Sequence, residues 1–114
     1  MAKKFNLTIE QGTTFKLKVV CRDINRNEVS LEGYTARAQV RSNYADFEPN
    51  TYAVFTCEID ALTGTINLTL GESQTQLLNF DKGVWDLELV SSENEVDRLL
   101  EGVVRISREV TRNS

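Results

Sequence analysis

The chain contains no histidine, one proline, one tryptophan, one methionine and two cysteines in 114 residues. Without histidine it lacks the commonest general base and the commonest metal ligand. No Ser-His-Asp arrangement can form, however many serines and threonines are present. Cys21 and Cys57 lie far apart and in no CxxC pair, too few ligands for a zinc site. Both fall inside strand-like runs and read first as small buried hydrophobes, with a disulfide or a reactive thiol as the alternatives. No apolar run approaches the ~18–20 residues that span a bilayer. The basic start Met1-Ala2-Lys3-Lys4 is followed by alternating residues with no apolar core, so no signal peptide is expected. Glycines 12, 33, 64, 71, 83 and 102 stand singly and cannot form a phosphate-cradling loop.

Carboxylates are plentiful but badly placed for chemistry. Asp86 and Glu88 share the outward side of one strand-like run, a wet face and not the apolar cleft a glycosidase needs. Glu58 with Asp60, and Glu93, Glu95 and Asp97, miss the spacing of a calcium loop. No catalytic residue, metal or cofactor is therefore expected, and the chain reads as non-enzymatic. Its net charge of −4 and pI near 4.8 disfavour nucleic-acid binding.

What remains is a globular composition, 40% hydrophobic and 26% charged, of a length that suits one domain over residues 1–114. Its dominant pattern is alternation of period two. Phe5, Leu7 and Ile9 mark a first strand, and Phe15, Leu17, Val19 and Cys21 a second. Val29 and Leu31 point inward in a short piece. Tyr34, Ala36, Ala38 and Val40 form the cleanest alternation, opposed by Thr35, Arg37, Gln39 and Arg41. Phe55, Cys57 and Ile59, then Ile66, Leu68 and Leu70, predict a hairpin around residues 60–64. Residues 72–79 are the one helical-looking stretch, two turns at most. Trp85, Leu87 and Leu89, then Leu100, Gly102, Val104 and Ile106, complete the strands. Turn signals recur every ~8–12 residues and there is no βαβ rhythm. The expected fold is all-β: an antiparallel, immunoglobulin-like β-sandwich of about seven strands with one short crossover helix. Trp85 follows both cysteines, so the immunoglobulin marker of a tryptophan between them is missing. Phe15, Leu17, Val19, Tyr34, Ala36, Val40, Ile66, Leu68, Trp85, Leu87, Leu89 and Val104 are the expected core.

Charge is unevenly distributed. Residues 1–41 carry eight basic and four acidic groups, and residues 42–114 five basic and thirteen acidic. This suggests a positive face of Lys16, Lys18, Arg22, Arg37 and Arg41 and a negative one of Glu88, Glu93, Glu95 and Asp97. Such faces orient partners, while strand edges and the aperiodic loop 42–51 supply affinity. Tyr44 and Phe47 in that loop are candidate interface aromatics.

The order of short motifs is more specific than any one of them. Gln11-Gly12-Thr13-Thr14-Phe15 comes first, then Gly33-Tyr34-Thr35-Ala36-Arg37-Ala38-Gln39-Val40-Arg41. Thr63-Gly64-Thr65-Ile66-Asn67-Leu68 and Glu72-Ser73-Gln74-Thr75 follow. Trp85-Asp86-Leu87-Glu88-Leu89, Leu99-Leu100-Glu101-Gly102-Val103-Val104 and Val110-Thr111-Arg112 complete the series. Together they resemble a family of small β-sandwich virion proteins of tailed bacteriophages and prophages, similar to the N-terminal domain of upper baseplate proteins. Trp85 stands where tyrosine is usual in that family. The resemblance implies a structural tail, baseplate or neck component, a connector or fibre attachment acting through protein-protein contacts. The partners it implies are other virion proteins, including copies of itself, with no nucleic acid, membrane or small-molecule substrate. The implied location is the virion, after synthesis in the host bacterial cytoplasm. A capsid decoration (cement) protein and a receptor- or carbohydrate-binding module are the alternatives.

Overall fold

Alternating sequences become strands when one face can be buried, and nine strands and one short helix form among the described residues. The structure, a computed structural model, describes residues 2–22, 25, 30–43 and 52–108. In order these are β1 (Lys3–Lys4), β2 (Leu7–Glu10), β3 (Phe15–Val20), β4 (Thr35–Arg41), β5 (Tyr52–Val54), β6 (Thr56–Asp60), β7 (Thr65–Leu70), α1 (Glu72–Gln76), β8 (Lys82–Val90) and β9 (Val96–Ser107). Two sheets result. One has the order β1-β9-β8-β4-β5, with β2 continuing β1 along β9, and the other has the order β3-β7-β6. The all-β, two-sheet expectation therefore holds at this level.

Two strands change sheets. The strand expected at Phe55, Cys57 and Ile59 is β6, and it forms the expected hairpin with β7 in the smaller sheet; just before it an unexpected strand, β5, pairs with β4 in the larger sheet. Phe55 is the corner, its N–H donating to the Ala38 carbonyl at 3.0 Å. The N-terminal segment likewise leaves β9 and enters the other sheet as β3. β1 and β2 run parallel to β9, whereas the other strand pairings among the described residues are antiparallel. The expectation of a wholly antiparallel sandwich is corrected there. First and last strands need no local crossover to lie parallel, because the rest of the domain connects them.

The core lies between the sheets. Ile66, Leu68 and Leu70 of β7, Val40 of β4, Leu87 of β8 and Val104 of β9 are fully buried. Phe55 bridges the layers, with ring centroids 6.0 Å from Phe15 and 6.2 Å from Trp85, both tilted at 60°. One expected core member and one strand marker depart from the core. Tyr34 is 37% exposed because it closes a turn, its N–H donating to the Leu31 carbonyl, before β4 begins. Phe5 is 46% exposed at the break between β1 and β2. Phe15, Leu17 and Val19 are only half-buried, since β3 is an edge strand.

The helix is shorter than expected and is pinned from below. Thr75, fully buried, donates to the Thr13 carbonyl at 2.7 Å and accepts from the Gly12 N–H at 3.1 Å. Gln74 Oε1 accepts from the Gly71 N–H at 3.0 Å, satisfying one free donor of the first turn. Val29, the loop 44–51 with Tyr44 and Phe47, and the motif at residues 110–112 lie outside the described residues.

Candidate functional site

The pleat of each strand sends every second side chain to the outside, so each sheet presents one solvent face. On the larger sheet this face is built by Arg37, Gln39 and Arg41 of β4, Asp86 and Glu88 of β8, Arg98 and Glu101 of β9 and Lys4 of β1. The register places Arg37 opposite Glu88, Glu88 opposite Arg98, Asp86 opposite Glu101 and Lys4 opposite Glu101. Opposite charges therefore meet in three of these pairs, whereas Asp86 and Glu101 face each other as like charges and share Arg98 between them. Arg37 Nε lies 2.7 Å from Glu88 Oε1 and Lys4 Nζ 2.8 Å from Glu101 Oε2. Arg98 is the hub, reaching Glu101 at 3.3 Å, Asp86 at 3.5 Å and Glu88 at 3.8 Å. Arg41 donates to Gln39 Oε1. The face encloses a shallow hollow of about 460 Å³.

Titration within the hollow is uneven. Partial burial, and then the charge of Glu88, raises the pKa of Asp86 against the weaker pull of Arg98 and Arg41. The hydrogen bond from Lys4 leads the effects that lower the pKa of Glu101. Every carboxylate here has a basic partner, and the face holds no nucleophile beside a base. The chemistry it supports is charge matching.

The outer face of the smaller sheet is arranged differently. Three rows cross it: Lys16, Thr69 and Thr56; Lys18, Asn67 and Glu58; Val20, Thr65 and Asp60. The bases stand on β3 and the acids on β6, with uncharged residues between. Among the described residues, none of Lys16, Lys18, Glu58 and Asp60 forms an ion pair. A second hollow of about 360 Å³ is lined by Lys18, Val20, Arg22, Asp60 and Thr65 among others.

The structure does not bring the five candidate bases together. Lys16, Lys18 and Arg22 belong to the smaller sheet's face, whereas Arg37 and Arg41 lie on the larger sheet's. Glu88 does not face away from Arg37 but pairs with it. Glu93 and Glu95 occupy the β8–β9 turn, where their N–H groups donate to Ser91 Oγ at 3.2 and 3.1 Å. Asp97 follows on β9, opposite Leu89. Period two correctly put Lys16, Lys18, Arg37, Arg41 and Glu88 outward, but it cannot say which sheet a strand joins. Sequence reasoning missed Arg98 as the hub and Glu58 and Asp60 as the acidic rim. The outward register of Glu58 and Asp60 was visible, but that of Arg98 was not: it shares the parity of inward Leu100, and the register shift at Leu87/Glu88 brings it opposite Glu88.

Burial raises the thiol pKa of both Cys21 and Cys57, which are free and half-buried, as expected of small packing residues. No group of three or more potential metal ligands gathers among the described residues. No family model and no curated protein matches the chain.

Proposed function

We propose that this protein is a non-enzymatic structural part of a tailed-bacteriophage virion, a tail, baseplate or neck connector working through protein-protein contacts. The observation that carries the reading is the ordered motif series that resembles the small virion sandwich family. Placement of those motifs supports it. Gln11-Gly12-Thr13 is the turn where the chain changes sheets and is held by Thr75. Trp85 and Gly102 are opposed in the β8–β9 pair, at the seam with the N-terminal strand. The motifs thus fall on joints of one fold, as a whole-domain likeness requires. An immunoglobulin-like assignment of the sandwich belongs to the same proposal, and the parallel pairing of first and last strands favours it.

A solvent face of matched charges suits an assembly part, since charges set the orientation of partners. The test is mass spectrometry and antibody labelling of purified particles from the producing bacterium. The expected result is the chain in tails at a copy number matching a ring about the tail axis. Its absence from particles would overturn the reading. A copy number matching the head lattice would move it to capsid decoration.

A further inference from the structure

We propose that the β3 edge of the smaller sheet receives an extended segment of another protein as an added strand, one that alternates acidic and apolar residues. The proposal deepens the reading of the chain as an assembly part by naming the chemistry of the partner, and it rests on that reading only for where the partner is found.

Backbone geometry is the first argument. The Cys21 N–H donates to the Gly64 carbonyl at 2.8 Å, just beyond the β3–β7 ladder. Backbone groups alternate sides along a strand, so those of Phe15, Leu17 and Val19 also meet β7. The N–H and C=O groups of Lys16, Lys18 and Val20 then point away from β7, and among the described residues none of them has a hydrogen-bond partner. The opposite edge of this sheet is closed by the chain itself. There the Leu31 N–H donates to the Ala61 carbonyl at 2.9 Å, the Phe55 N–H donates to the Ala38 carbonyl at 3.0 Å, and β4 lies along β6 between them. Among the described residues β3 has no ladder partner other than β7.

Incomplete burial is the second, independent argument. The inward residues of the central strand β7, Ile66, Leu68 and Leu70, are fully buried. Leu7 and Ile9 of β2, on the strand from which the chain crosses to β3, are buried as well. Phe15, Leu17 and Val19 of β3 are only half-buried. The β3 edge therefore leaves an apolar rim that the inward side chains of an added strand would cover.

Charge selects the occupant. Lys16 and Lys18 project from the solvent face of β3 beside the uncharged Thr69 and Asn67, and among the described residues neither forms an ion pair. Lysines on an edge strand oppose pairing with a like edge. Full antiparallel overlap of two β3 strands through their outward groups would set Lys18 on Lys18, so a second β3 is the wrong occupant. A strand with acids on its solvent face sets opposite charges beside both lysines, and period two then brings its apolar residues alongside Phe15, Leu17 and Val19. Either strand direction meets this pattern. Main-chain hydrogen bonds supply affinity, and the lysines and the rim supply selection.

The test is amide exchange by NMR on the isotope-labelled chain, titrated with a short synthetic peptide of alternating glutamate and valine. In the free chain the amides of Leu17 and Val19 should exchange slowly and those of Lys16, Lys18 and Val20 fast. The peptide should slow exchange at Lys16, Lys18 and Val20, with a dissociation constant below ~1 mM that rises with salt. The double variant K16E/K18E should bind it at least ~10-fold more weakly. The same variant should bind the corresponding peptide of alternating lysine and valine, which also shows that it folds. A wild type that binds no peptide at ~1 mM would overturn the proposal, as would slow exchange at Lys16, Lys18 and Val20 before any peptide is added. Equal binding of a scrambled peptide of the same composition, or binding that leaves those amides exchanging fast, would overturn it too, because charge alone would then account for the contact. None of these outcomes depends on finding the chain in particles, so this proposal and the virion reading fail separately.

Discussion

Three carboxylates converge on Arg98, and Glu101 and Asp86 are shifted in opposite directions. Glu101 has its pKa lowered, with the Lys4 hydrogen bond as the leading cause. Its ionised form therefore favours folding above the ordinary carboxylate range, a contribution lost as pH falls through the lowered value. Asp86 has its pKa raised by partial burial and by Glu88. Its contribution is complete below the ordinary value and is lost as pH rises through the raised one, so at neutral pH its charge opposes folding. Asp86→Asn should accordingly raise the melting temperature at neutral pH, with the gain vanishing below about pH 4, where the wild-type carboxyl is also neutral. Glu101→Gln should do the reverse. Thermal melts of both variants across that pH range provide the check, and a loss of stability in Asp86→Asn at neutral pH would mean that the attraction of Arg98 prevails.

Elements here are held by contacts that periodicity does not display. At the break between β1 and β2 the Phe5 N–H donates to the Glu101 carbonyl at 2.9 Å, and the Phe5 carbonyl accepts from Trp85 Nε1 at 2.7 Å. Asn6 Oδ1 takes the Val103 N–H at 3.0 Å. This approach requires glycine at 102, where an added Cβ would lie 2.3 Å from the Phe5 carbonyl oxygen. Gly102→Ala should cost about 1–3 kcal/mol by urea unfolding. It should also speed amide exchange along Leu7–Glu10, where β2 pairs with β9. Unchanged stability and exchange would show that the N-terminal strand can move aside. The sequence showed Gly102 only as an interruption in an apolar run. Thr75 is a parallel case. It is the one β-branched residue in the helical stretch, and it is buried because its hydroxyl serves the Gly12–Thr13 turn. Thr75→Val keeps the shape but strips the Thr13 carbonyl and the Gly12 N–H of a partner, at a cost of about 1–3 kcal/mol. A variant with wild-type unfolding behaviour would mean that water replaces the hydroxyl. Strand existence and inward faces were legible because burial imposes period two. The sheet switch at Phe55 was not, because alternation continues through a corner unchanged.

Across the whole molecule, the uneven charge along the chain does not become two opposed faces. Folding sets Arg37 against Glu88, residues 51 apart in sequence, and leaves Lys16 and Lys18 on the other sheet. Sequence separation carried the charge count, but pairing depends on which strands become neighbours, and that is decided by sheet order. The two solvent faces should consequently respond differently to loss of charge. Arg98→Ala leaves Asp86, Glu88 and Glu101 crowded without their shared cation. Exposed pairs contribute ~0–1 kcal/mol each, so the loss should be about 1 kcal/mol at low salt and should shrink as salt rises. Lys16→Ala with Lys18→Ala removes charges that form no ion pair among the described residues and should leave stability within about 0.5 kcal/mol of wild type. Urea unfolding of both variants at two salt concentrations, in samples dilute enough to be monomeric, compares them directly. Equal losses would mean that the larger sheet's pairs add nothing to stability, leaving orientation of partners as the only work those charges do. A larger loss in the lysine variant would mean that the smaller sheet's bases already serve the isolated fold, removing the reason to seek their partner in another chain.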